Sequence, residues 1–254
     1  MKTILKYILL SAMRDWLFIG LFLAIFSTFA VSNMIGFTAT TEKFSMQLVI
    51  FAGITRIILV CGMIVFICFH ISRAFENREI SFILSKNISR EKFIFSYWLG
   101  FNIISLVFIL QTALTIVIFS KYSFAGLLEW LLSVVFELMI ISTFSILTTL
   151  ILGSAVFSVF LSSGFYLISR LMGFFINVQT LNSKNIIYDV FLSVIKFLIK
   201  FISSIIPRLD LFGQTKWLIY GPDTNMLYVM LAQFTIYISI MFMMAFYDFK
   251  RKEF

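Results

Sequence analysis

The chain has 254 residues, of which 61% are hydrophobic and only 13% are charged, and its mean hydropathy is +1.04. Soluble domains are about half apolar and about a quarter charged, so this composition excludes a soluble globular protein, a disordered chain and a nucleic-acid-binding protein. The net charge of +8 is better explained by membrane topology, because the basic residues lie at the ends of the apolar runs. The composition predicts an all-α polytopic membrane protein with one transmembrane domain over residues 1–254.

A helix that crosses a membrane needs about 20 mostly apolar residues. Six segments qualify, and a short amphipathic helix is predicted before them, in residues 1–15. A second interfacial helix is predicted within the long segment 177–225, because Asp189, Lys196 and Lys200 fall on one helical face. The alternative is a seventh span with these lysines inside the bundle. The six predicted spans cover residues 16–37, 46–71, 93–120, 127–152, 155–176 and 226–247.

The distribution of positive charge predicts the orientation. More than half of the 20 Lys and Arg residues flank the two termini and the short loop 73–92 between the second and third spans. Cytoplasmic loops are enriched in Lys and Arg. We therefore expect both termini and loop 73–92 to lie in the cytoplasm and segment 177–225 to lie outside. The count of six spans agrees, because an even number of spans places both termini on the same side.

Four charged residues fall inside predicted spans, where charge is costly and is a functional hypothesis by default; one of them, Glu129, lies near the outer end of the fourth span. Glu137 lies near the middle of the fourth span, whereas Arg56 and Arg170 lie nearer the outer ends of theirs. A pair between Glu137 and either arginine is predicted. Such a pair either holds the helices together or contributes to a polar route for a substrate.

Four short motifs point to a family. Residues 84–90 read Leu-Ser-Lys-Asn-Ile-Ser-Arg and directly precede the third span. Residues 207–212 read Pro-Arg-Leu-Asp-Leu-Phe, residues 217–221 read Trp-Leu-Ile-Tyr-Gly, and the chain ends in a basic stretch at 248–254. In order and spacing these motifs resemble those of the ABC-2 type transporter permeases, the membrane subunits of one class of ATP-binding-cassette exporters. Asn87 stands where that family often has proline.

The resemblance implies that loop 73–92 carries a coupling helix that docks into a groove on a separate ATPase subunit. The alternative is a helix on the membrane surface with no partner. The apolar side chains of this loop, from Phe75 to Leu84, can form one amphipathic helix with its charged residues, and Glu76 and Glu79 are expected in the first turn. The coupling residues implied are Glu76, Arg78, Glu79, Phe82, Ile83, Leu84 and Arg90.

The resemblance also implies partners and a location. The chain would be the permease subunit of an exporter in a bacterial cytoplasmic (inner) membrane, paired with a second copy or a similar permease and with two ATPase subunits that hydrolyse ATP-Mg. The chain itself is expected to bind no cofactor or metal and to be no enzyme, since it has no P-loop motif and only one histidine, His70. A secondary carrier, or a structural or assembly membrane protein without an ATPase partner, is the alternative.

Overall fold

The computed structural model of the chain describes residues 2–38, 42–80, 89–119, 121–178, 197, 199–203 and 205–251. In this part of the chain the regular structure is entirely helical. The helices are α1 (Lys2–Met13), α2 (Trp16–Thr38), α3 (Lys43–Glu76), α4 (Arg90–Phe119), α5 (Phe124–Leu152), α6 (Ala155–Val178), a 3₁₀ turn (Leu209–Leu211), α7 (Lys216–Tyr220) and α8 (Thr224–Arg251).

Among the described residues, six helices are long and apolar enough to cross a membrane, namely α2 to α6 and α8. The prediction of an all-α polytopic membrane fold is therefore confirmed. The largest difference from the predicted spans is in α3, which has 34 residues and is about 51 Å long at 1.5 Å per residue. It continues past residue 71 to Glu76 because no proline or glycine interrupts it there. A helix of this length exceeds the roughly 30 Å of a bilayer core.

Helix α5 is the centre of the bundle and packs against α3, α4, α6 and α8. In its most apolar stretch 72% of the residues are buried, against 22% or less in α2, α6 and α8. Ser123 caps its first turn by accepting a hydrogen bond from the Gly126 amide. The helix ends at Gly153, which has a φ of +67° and whose backbone N–H donates a hydrogen bond to the Thr149 carbonyl. The peripheral helices instead present much of their apolar surface outward, as lipid contact requires.

Small residues allow the helices to approach closely, as is typical of membrane bundles. A Cβ atom at Gly62 of α3 would lie 2.4 Å from the side chain of Leu21 in α2. The same two helices share a hydrogen bond of 2.8 Å between the hydroxyls of Thr28 and Thr55. These contacts pair α2 with α3 along the bundle.

The helices alternate in direction, so the described chain ends lie at one end of the bundle. We call this the terminal end; the first turns of α3 and α5 lie at the opposite end, the far end. Helix α1 lies at the terminal end and packs against α4, where Ile8 covers Gly100. Ile4, Ile8 and Ala12 are buried. The N-terminal helix is therefore amphipathic, as predicted, and it lies on the bundle through its apolar face.

At the far end, residues 207–221 fold into the bundle, and we call them the docked segment. It contains the 3₁₀ turn and α7. Four of its apolar side chains are buried to 1% exposure or less: Leu209, Phe212, Trp217 and Leu218. The backbone joins α5 directly, since the Ser123 amide donates to the Leu218 carbonyl at 2.8 Å.

The predicted interfacial helix in segment 177–225 lies largely outside the described residues, including Asp189, Ser193, Lys196 and Ser204. Its described part, residues 199–203, is helical. Phe197, Phe201 and Ile205 are 57–69% exposed.

Candidate functional site

A fully buried ion pair joins α3 to α5 inside the bundle, beside the docked segment of the far end. The Nε atom of Arg56 donates to Glu137 Oε2 at 2.5 Å, and its Nη2 atom donates to Glu137 Oε1 at 2.6 Å. The side chains are 2% and 0% exposed. This fork geometry is the strongest form of an arginine–carboxylate contact. Both oxygens of Glu137 are therefore occupied by Arg56.

The docked segment completes the environment of this pair through its backbone. Arg56 Nη1 donates to the Gly213 carbonyl at 2.8 Å, and Nη2 makes a longer contact of 3.4 Å with the Leu209 carbonyl. Gly213 has a φ of +55°, and a Cβ there would lie 2.6 Å from the guanidinium. Its amide donates to the Ser133 hydroxyl of α5. Irregular backbone at this depth is tolerated because its polar groups are satisfied by protein.

Arg170 does not contact Glu137, so of the two arginines considered from the sequence it is Arg56 that pairs. Instead Arg170 Nη1 donates to the carbonyls of Leu209 and Phe212, at 2.7 and 3.0 Å. Arg170 is half-buried. Helix α6 passes so close to this turn that a Cβ at Gly173 would lie 2.5 Å from the Asp210 carboxylate. Two arginines thus bind one short stretch of backbone from two different helices.

The arrangement favours the structural interpretation of the buried charges. Arg56 and Glu137 have almost no exposed surface, and their hydrogen bonds link α3, α5 and the docked segment. Removing one partner would leave an uncompensated charge, which is strongly destabilising. Arg170 differs, because its side chain is only half-buried where it lines an open groove between α3 and α6.

Sequence reasoning did not assign a role to Ser133 or to Glu129. Glu129 is 3% exposed, and its Oε2 atom accepts a hydrogen bond of 2.7 Å from the Asp223 amide at the start of α8. Its Oε1 atom has no partner among the described residues. Glu129 could have been singled out from the sequence, because it is an acidic residue near the outer end of a span. Nothing in the sequence distinguishes Ser133, because serines are common throughout this chain.

The terminal end carries a second network, formed by polar groups near its surface. Tyr7 of α1 donates to Glu79 at 2.8 Å. Arg73 of α3 pairs with Asp15 at 3.1 Å, and the other oxygen of Asp15 accepts from the Leu17 amide in the first turn of α2. These contacts join α1, α2 and α3 around the start of loop 73–92.

The end of α8 makes a separate set of polar contacts at the terminal end. Arg90, at the start of α4, donates to the carbonyls of Phe249 and Lys250 at 2.7 and 2.9 Å. Lys250 pairs with Glu91 at 3.0 Å, with both side chains more than half exposed. Basic side chains commonly satisfy the last carbonyls of a helix in this way. Loop 73–92 is therefore flanked on both sides by contacts to other helices.

The predicted coupling helix needs one correction. Phe75 and Glu76 do not start it, because they belong to the last turn of α3. The chain then turns at Asn77 and at Arg78, which has a φ of +56°, and residues 79 and 80 are again helical. Glu76 and Arg78 are exposed. Phe82, Ile83 and Leu84 lie outside the described residues.

In the described ranges no group of three or more His, Cys, Asp and Glu residues could hold a metal ion.

Comparison with known proteins does not assign the chain to a family. No family model matches the chain, and no curated protein matches it significantly.

Proposed function

We propose that the chain is the permease subunit of an ABC transporter of the ABC-2 type, an exporter powered by a separate ATPase subunit. Both termini and loop 73–92 would face the cytoplasm of a bacterial cell. Six membrane-spanning helices and the resemblance of the motifs support this proposal.

The observation that carries the proposal is the network at the terminal end. Through Tyr7, Arg73 and Arg90, the regions on either side of loop 73–92 contact α1, the start of α2 and the end of α8. A partner that pushes on this loop would therefore act on several helices together. That is the mechanical requirement for a coupling element that transmits ATP-driven motion.

The alternative of a secondary carrier has less support. Carriers often bind their substrate between discontinuous helices whose broken ends lie near the midplane. Here each of the six spans is one uninterrupted helix from its first to its last described residue. The irregular docked segment lies between α6 and α8 in the chain, and its carbonyls at Leu209, Phe212 and Gly213 accept hydrogen bonds from arginines of the spans.

The test is co-purification of the tagged permease with its ATPase from the native host, followed by ATP turnover in liposomes. We expect an ABC ATPase at equimolar ratio with the permease. Replacing Ile83→Asp together with Leu84→Asp should release it, because burying two such side chains contributes about 3–6 kcal/mol.

The matched control is Phe201→Asp with Ile202→Asp, an adjacent apolar pair at the far end, 57% and 40% exposed. This variant should keep the ATPase. If no ABC ATPase co-purifies, or if the Ile83 and Leu84 variant retains it with normal turnover, the proposed coupling role is wrong.

A further inference from the structure

A groove of about 710 Å³ lies between α3 and α6 in the far half of the bundle. Along α3 it extends from Val49 to Cys61, a distance of about 18 Å at 1.5 Å per residue. Ile57 and Leu167 line it and are 55% and 57% exposed. Because both residues lie within spans, the groove opens sideways toward lipid.

The charges that line this groove have one sign. Among its described lining residues are Arg56, Arg170 and Lys216, and none is acidic. Glu137 neutralises Arg56 from behind, which leaves Arg170 and Lys216 without a carboxylate in contact within the described chain. An apolar groove that two such cations line has the complementary charge for an acidic amphiphile.

Arg170 also has hydrogen-bonding capacity left. Its Nη1 atom makes both of the bonds to the docked segment, and its Nε and Nη2 atoms donate to no described residue. Neither of these two nitrogen atoms is among the buried polar atoms that lack a partner, so both are accessible from the surface. The hydroxyl of Tyr166, which also lines the groove, likewise has no partner in the described part of the chain. These donors line the same groove as Lys216.

A second groove provides an internal comparison. It lies between α2 and α4, has a volume of about 450 Å³, and is lined by apolar side chains with Gln111 and Thr115. No charged residue is among its described lining. Lipid should therefore occupy it without selection for the charge of the head group.

We propose that the α3–α6 groove is a binding site for an anionic membrane lipid, with its acyl chain along Ile57 and Leu167. Arg170, Lys216 and the Tyr166 hydroxyl bind its acidic head group. The site does not depend on an ATPase partner, so it stands or falls separately from the transport proposal.

The test is site-specific photo-crosslinking in vesicles of equimolar phosphatidylglycerol and phosphatidylcholine. The photoreactive residue benzoylphenylalanine is placed at Leu167 or, as the matched control, at Val107 in the α2–α4 groove. Mass spectrometry then gives the ratio of the two lipids in the crosslinked protein. We expect about fivefold enrichment of phosphatidylglycerol at position 167, the effect of about one cation near an anionic head group, and no enrichment at position 107.

Three variants and one competition experiment make the result decisive. Lys216→Gln and Arg170→Gln should each lower the ratio at position 167 toward that at 107, whereas Arg170→Lys should keep most of it. Lys216 is exposed, so its variant avoids the question of folding. Equal ratios at the two positions would overturn the proposal. Loss of the crosslink in excess free glycerol phosphate would also overturn it, because a soluble phosphate ester would then be the occupant.

Discussion

The two ends of the bundle are held by the same kinds of residues in opposite environments. At the far end, Arg56 and Glu137 are 2% and 0% exposed and bind each other in a bidentate fork. At the terminal end, Lys250 and Glu91 form a single contact with 64% and 56% exposure. Water screens the second pair, so exposed pairs contribute about 0–1 kcal/mol, whereas breaking a buried pair costs about 3–5 kcal/mol.

This difference separates a fixed part of the molecule from an adjustable one. The far end binds the docked segment through buried side chains and backbone carbonyls, and any movement there would strand buried polar groups. The exposed ion pair at the terminal end can break and reform at little cost. A face that transmits motion from a partner needs this second property, which is consistent with the proposed coupling role.

The largest effect should come from Glu137→Gln. The amide cannot neutralise Arg56, so a buried cation remains, and we expect a loss of about 3–5 kcal/mol in the free energy of unfolding. The measurement is unfolding in detergent by titration with a denaturing surfactant. Glu91→Gln is the matched change at the terminal end and should cost about 1 kcal/mol or less. Similar losses for the two variants would contradict the distinction between the ends.

Glycine substitutions test how tightly the far end is packed. A Cβ at Gly126 of α5 would lie 1.8 Å from the Trp217 carbonyl oxygen, whereas a Cβ at Gly164 of α6 would meet nothing within 4 Å. Gly126→Ala must displace α7 and should destabilise the protein by about 1–3 kcal/mol. Gly164→Ala should stabilise it by about 0.5–1 kcal/mol, because alanine favours a helix. The same denaturation experiment measures both, and a stabilising Gly126→Ala would show that α7 is not fixed.

The sequence was enough to predict the six spans and the short helix before them, because apolar length and amphipathic pattern are local properties. It also limited the candidate partners of Glu137 to two arginines, Arg56 and Arg170. The choice between them depends on which faces of α3 and α6 meet α5, and a one-dimensional pattern does not contain that information. The docked segment was recognised as a motif, but its burial depends on bonds from Arg56, Arg170 and Ser133 to backbone atoms, which have no sequence signature. The sequence did not predict that α3 continues to Glu76, because the apolar run ends before the helix does.

Arg170 should control the mobility of the docked segment more than the stability of the bundle. Its two bonds to the Leu209 and Phe212 carbonyls are charge-assisted, and such bonds contribute about 1.5–3 kcal/mol. Arg170→Gln should therefore raise hydrogen exchange at the Phe212 and Gly213 amides by about ten- to a hundredfold. Arg208→Gln is the control, because Arg208 pairs only with Asp210 among the described residues and is 33% exposed. Equal acceleration in the two variants would show that loss of charge, and not loss of these bonds, frees the segment.

The smallest effect is expected at the contact between α1 and loop 73–92. Partial burial, followed by the hydrogen bond to Glu79, raises the pKa of Tyr7 above its usual value. A raised pKa means that the folded state binds the proton more tightly. The contact therefore stabilises the protein fully below the unfolded pKa of about 10 and less as the pH rises above it. Since Tyr7 is 43% exposed, we expect only about 0.5 kcal/mol at neutral pH.

Tyr7→Phe removes the hydroxyl and keeps the ring, so it isolates this contribution. The free energy of unfolding should fall by about 0.5 kcal/mol at neutral pH, and the difference from the wild type should shrink as the pH passes about 10. Tyr220→Phe is the control, because Tyr220 is 84% exposed at the far end and its hydroxyl bonds to no described residue. If Tyr7→Phe costs as much as Glu137→Gln, the terminal end is as firmly held as the far end, and the contrast between a fixed and an adjustable end is wrong.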